Sequence, residues 1–145
     1  MNDVVVRMNA AAATDYSPLV RELFLNPRAA GTLGEEGAVV VHGDAGSVAS
    51  GAWVRLHLRI DDGRVTDARF QAYGCPHTLA AASWLAGRLP GRAIDAAFAE
   101  GAAGMAAALD VPAAKLGRLL IVEDALADAL RQWRERGVES PRALK

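Results

Sequence analysis

Residues 54–76 read VRLHLRIDDGRVTDARFQAYGCP, and this stretch decides the fold. Val54, Leu56, Leu58 and Ile60 alternate with Arg55, His57 and Arg59. That period of two belongs to a strand with one buried face. Asp61-Asp62-Gly63-Arg64 follows, and Asp-Gly tolerates the positive φ angles of a tight hairpin turn. Val65 to Tyr73 is therefore the returning strand, with Ala68, Phe70 and Ala72 turned toward the helices. Gly74-Cys75-Pro76 ends it, and Pro76 suits a first helical position, where its missing N–H costs nothing. Thr78, Ala81, Ala82, Leu85 and Leu89 then form an amphipathic stripe that stops at Pro90-Gly91.

Upstream, the β-branched run from Ala38 to His42 and the turn residues Gly43 to Gly46 place a further strand before one beginning at Val48. Strands are thus expected near 38–42, 48–60 and 64–73. Tyr16 to Leu25 has helical spacing, capped by Asp15 or Ser17 and stopped at Asn26-Pro27. Downstream, Ala93 to Ala99 and Ala102 to Leu109 read as short helical pieces, and Asp110-Val111-Pro112 restarts the chain. A long helix then carries Leu119, Val122, Leu126, Leu130 and Trp133 on one side and ends near Gly137. Early strands and late helices give an α+β domain: a three-stranded antiparallel sheet with helices packed on one face. Residues 16–137 form that domain, between a loose arm at 1–15 and a tail at 138–145.

A chain of 145 residues fits one domain. Its 52% apolar and 23% charged residues are ordinary globular values, and its net charge of −1 argues against non-specific nucleic-acid binding. No run approaches the ~20 apolar residues of a membrane span, and the N-terminus lacks a secretory pattern. A single cysteine excludes an internal disulfide and points to a reducing compartment, the cytoplasm.

That cysteine, Cys75, stands at a strand-to-helix turn, where the helix dipole favours thiolate. The plainer reading is a small buried hydrophobe. His77, two residues on, is either a second ligand or proton acceptor, or a solvated residue at an exposed helix start. His42 and Asp44 become metal-ligand candidates if their turn folds over the same corner. His57, between Arg55 and Arg59, reads as solvent-facing. A thiol enzyme built on Cys75 and His77 has no evident orienting acid.

The order of elements and several local pieces resemble the IscU/NifU N-terminal family of iron–sulfur cluster assembly scaffolds. The pieces are Tyr16-Ser17, Asn26-Pro27-Arg28, Asp67-Ala68-Arg69-Phe70 leading to Tyr73-Gly74-Cys75, Val111-Pro112 with Lys115, and Glu123-Asp124-Ala125. Together they span about Tyr16 to Trp133. The resemblance implies a site of three cysteines aided by an Asp and a His. Here Ser50-Gly51-Ala52 stands for Cys-Gly-Asp, and Gly117-Arg118 for His-Cys, so only Cys75 remains. Serine stays protonated and ligates iron poorly, while the fixed cation of Arg118 repels metal.

The resemblance therefore implies no cluster on the monomer. Iron or a cluster would be held through Cys75 with His77, or by two subunits each offering Cys75. It also implies a cysteine desulfurase and an Hsp70-type chaperone as partners, the chaperone through Val111, Pro112 and Lys115. Ala113-Ala114 replaces the family's Pro-Val there, removing apolar contact of roughly 1 kcal/mol per site. The function implied is a divergent cluster-assembly scaffold with an accessory or carrier role and no catalytic turnover. The alternative is a degenerate scaffold fold serving as an interaction or regulatory module without metal. In either case Cys75, Ser50 and Arg118 are expected at one end of the sheet.

Overall fold

The structure is a computed structural model that describes residues 16–34, 39–96 and 101–139. Strands β1 (Val39–Ser47), β2 (Ala52–Asp61) and β3 (Arg64–Tyr73) form one antiparallel sheet in the order β1-β2-β3. Asp62 (φ 55°) and Gly63 (φ 76°) both adopt positive φ, as the Asp-Gly turn requires. Helices α1 (Pro18–Leu25), α2 (Pro76–Arg88), α3 (Gly101–Leu109) and α4 (Leu116–Glu139) complete the fold, with single 3-10 turns at Ile94–Ala96 and Ala113–Lys115.

The alternation in β2 works as read: Val54, Leu56, Leu58 and Ile60 are buried, as are Ala68, Phe70 and Ala72 of β3. They meet Leu79, Leu85 and Ala86 of α2 and Leu119, Val122, Leu126 and Ala129 of α4. Burying each of the larger aliphatic or aromatic side chains contributes about 1.5–3 kcal/mol. The opposite sheet face carries His42, Arg55, His57, Arg59 and Arg69, and among the described residues the helices pack on the other side.

The first hairpin differs from its reading. Gly43 to Gly46 lie inside β1, and the turn is Val48 to Gly51, closed by hydrogen bonds from Ser50 N to Ser47 O (3.2 Å) and Gly51 N to Val48 O (3.0 Å). Gly43 serves helix packing rather than turning. A Cβ there would sit 2.0 Å from Ala125 O and 2.4 Å from Ala129 N of α4.

Ser17 caps α1: its Oγ accepts from Val20 N (3.1 Å) and donates to Leu109 O (2.7 Å), tying α1 to α3. Asp15 lies outside the described residues, as do the arm at 1–15 and tail residues 140–145. Of the helix read at Ala93 to Ala99, the Ile94–Ala96 turn is described and 97–100 are not. Helix α4 continues through Gly137 to Glu139 instead of ending near the glycine.

Both sheet edges are occupied. On the β1 side, Arg136 Nη1 donates to Val40 O (2.7 Å) and Asp44 N donates to Asp128 Oδ2 (3.0 Å). On the β3 side, Gly31 N donates to Phe70 O, Phe70 N to Ala29 O, and Val65 N to Arg92 O. Among the described residues, no helix is long and apolar enough to cross a membrane.

Candidate functional site

Cys75 is the N-cap of α2, with extended backbone (φ −78°, ψ 168°) and Pro76 at the first helical position. Its thiol is free and half-buried, with Sγ 3.8 Å from Thr78 Oγ1. Burial pushes the thiol pKa up. The His77 side chain, the backbone N–H groups of Thr78 and His77 and the Thr78 hydroxyl outweigh that and lower it from 9.0 to about 6. Cys75 is thus mostly thiolate at neutral pH.

His77 is not the solvated residue that a helix start suggests. It is 3% exposed, because α1 packs on α2 and Tyr16 stands edge-on to its ring at 4.6 Å. Its Nδ1 is buried without a hydrogen-bond partner among the described residues.

Register brings the Ser50 turn to this end of the sheet. Gly46 pairs with Trp53 and Trp53 with Tyr73, so the Val48–Gly51 turn and the β3 exit leading to Cys75 share one edge. Ala125 faces Gly43. Arg118 lies two turns before Ala125, about 10 Å along α4. Three residues along β1 from Gly43, also about 10 Å, reach Gly46. Because α4 runs antiparallel to β1, Arg118 lies toward the Gly46 side of Gly43.

The donors themselves are poor. Ser50 is exposed, and its Oγ donates to Ser47 O (3.0 Å) within its own turn. Ala52 is 1% exposed, and Gly117 has no side chain. Arg118 is half-buried and makes no hydrogen bond or ion pair with the described residues.

Other candidates fall elsewhere. His42 and Asp44 lie within β1, in rows with His57 and Arg55, and do not reach Cys75. The Arg55 guanidinium binds Asp44 at 2.7 and 2.8 Å and holds its carboxyl below the usual range. Val111 is 9% exposed, while Pro112 and Lys115 are exposed on the turn leading into α4. Glu123 is not simply solvated: its Oε1 accepts from Ala102 N (3.1 Å) at the start of α3. His57 is 4% exposed rather than solvent-facing, packed edge-on to His42 with ring centroids 4.7 Å apart. The wrongly placed turn hid that pair, since only a turn at 48–51 sets His42 opposite His57.

Among the described residues, no three His, Cys, Asp or Glu side chains gather as a metal cage. One thiolate, a buried imidazole, a hydroxyl engaged in its own turn and a guanidinium do not fit an iron–sulfur cluster held by a single chain.

What the fold and this corner define is a small antiparallel-sheet scaffold domain with one activated thiol where sheet meets helix. The chain belongs to the NifU-like N-terminal domain family, whose model matches residues 15–140. It is 30% identical over 122 residues to the iron–sulfur cluster assembly scaffold protein IscU of Escherichia coli (strain K12), covering 83% of this chain and 95% of that protein. It is 32% identical over 126 residues to the nitrogen fixation protein NifU of Nostoc sp. (strain PCC 7120), covering 83% of this chain but only 42% of NifU. The crystal structure of an N-terminal nitrogen-fixing NifU-like protein from Brucella abortus superposes with a TM-score of 0.63 at 21% identity, covering 88% and 99% of the two chains.

The thiol makes a direct prediction. The alkylation rate of Cys75 by iodoacetamide should be on its plateau above neutral pH and fall through a midpoint near 6, not 9.0. The native state binds fewer protons than the unfolded chain between those values, so this contribution to stability is full above 9.0 and lost as pH falls through about 6. A reactivity midpoint above 8 would show that the helix start and His77 do not hold the thiolate.

Proposed function

We propose that this protein serves iron–sulfur cluster assembly as a divergent scaffold with an accessory or carrier role. Cys75 is its own donor to iron or a cluster, with His77 beside it as a second candidate. The observation that carries the reading is the activated Cys75 thiol at the sheet–helix corner of a NifU-like domain. Iron and cluster are cargo here, and one thiolate leaves most of the donor set to a second subunit or a partner protein. A cysteine desulfurase and an Hsp70-type chaperone are the partner classes that fit, in the cytoplasm. Pro112 and Lys115 offer the chaperone contact better than the mostly buried Val111.

Anaerobic reconstitution with iron and sulfide, followed by size separation, absorption spectra and metal analysis of each fraction, tests this. The expected result is cluster absorbance confined to dimers or mixed complexes and lost in Cys75→Ser. Equal iron binding by Cys75→Ser would refute Cys75 as the donor, and absence of iron from every wild-type fraction would move the protein to the metal-free interaction module. A stoichiometric cluster on the wild-type monomer would refute the shared donor set.

A further inference from the structure

His42 and His57 are direct partners across β1 and β2, so both side chains lie on the sheet face opposite the described helices. The rings meet edge-on, at 76° with centroids 4.7 Å apart. His57 Nε2 is 3.0 Å from Gln71 Oε1. An amide oxygen only accepts, so Nε2 carries the proton and Nδ1 of the neutral ring presents a lone pair. That Nδ1 is buried and has no hydrogen-bond partner among the described residues. An unsatisfied buried acceptor is unfavourable, and a metal ion is one group that can satisfy it. The Gln71 contact is also the outer-shell hydrogen bond that fixes tautomer and ring orientation in metal-bound histidines.

We propose that His42 and His57 form a two-imidazole site for a divalent late transition-metal ion on the open face of the sheet. His57 is the fixed half, locked by Gln71. His42 is half-exposed and is the movable half: its ring swings from packing against His57 to share the ion, which enters from the solvent side. Asp44 does not close the site, because Arg55 holds its carboxylate. Water or an added ligand fills the remaining positions. Imidazole donors select zinc, copper or nickel over magnesium and calcium.

The neighbouring cations are largely neutralised. Arg55 pairs with Asp44, Arg59 donates to Gly34 O and faces Asp67, and Arg69 also pairs with Asp67. Four strand residues, roughly 13 Å, separate the His57 row from the Trp53–Tyr73 row at the Cys75 end. The site is therefore independent of the thiol and of the function proposed for it.

The test uses the full chain carrying Cys75→Ser, stripped of metal and titrated with Zn²⁺ by calorimetry. One ion per chain should bind, and its affinity should fall at least tenfold in His42→Ala and in His57→Gln. Ring-nitrogen NMR of the Cys75→Ser parent supplies a readout that needs no histidine variant to fold: zinc should shift the His57 Nδ1 resonance. Absence of that shift, or unchanged affinity in a folded His42→Ala, would overturn the site.

Discussion

Gly43→Ala is expected to cost about 3 kcal/mol or more of stability, beyond the usual range for a small overpacked side chain. The added carbon would lie 2.0 Å from Ala125 O and 2.4 Å from Ala129 N, both backbone atoms of α4. No rotamer change relieves such contacts, so β1 and α4 must separate and carry Val41, Val122 and Leu126 out of register. A fall in melting temperature of about 10 °C follows for a domain of this size. Thermal unfolding of wild type and Gly43→Ala checks it, with Gly117→Ala as control, since a Cβ at Gly117 meets open space. A loss below about 1 kcal/mol would mean that the two elements do not press together as described.

The same glycine explains what the sequence did and did not disclose. The β2–β3 hairpin was legible because Asp62-Gly63 needs its positive φ angles and Val54 to Ile60 alternate without interruption. Gly43 and Gly46 look like turn residues in one dimension, but Gly43 is small because a helix 80 residues later rests on it. A contact at that range leaves no local signature. A β1 cut short at those glycines has no His42–His57 pairing, and His57 then looks like a polar residue on a wet face. The burial of His77 has the same long-range origin, since Tyr16 and α1 cover the helix start from far along the chain. The corner itself was readable only through the family resemblance, which points to Ser50 and Arg118 as ligand positions but says nothing of the buried Nδ1 of His77.

Ser50→Cys with Arg118→Cys should convert this corner into a zinc site holding about one ion per chain. Together with Cys75 the variant offers three thiolates, and the removed guanidinium no longer opposes the ion's charge. Ser50 is exposed and Arg118 lacks a described partner, so neither change should cost much stability. Ala52→Asp is left out because Ala52 is 1% exposed, and a carboxylate there would be desolvated. Zinc per chain after identical loading and exhaustive dialysis is the measurement, with His42→Ala added to both proteins to remove binding on the open face. A folded variant that retains no more zinc than wild type would show that the three positions do not converge.

The hydrogen bonds along the outer strands bear on how copies of this protein can meet. Arg136 and Asp128 occupy backbone groups on the free side of β1, and Ala29, Gly31 and Arg92 do the same beside β3. A strand from another molecule would have to displace these contacts before it could add to the sheet. Growth by strand addition, the route to continuous sheets and fibrils, is thereby obstructed at both margins. Assembly with other molecules is then built through side chains on its faces and its thiol-bearing end rather than by continuing the sheet.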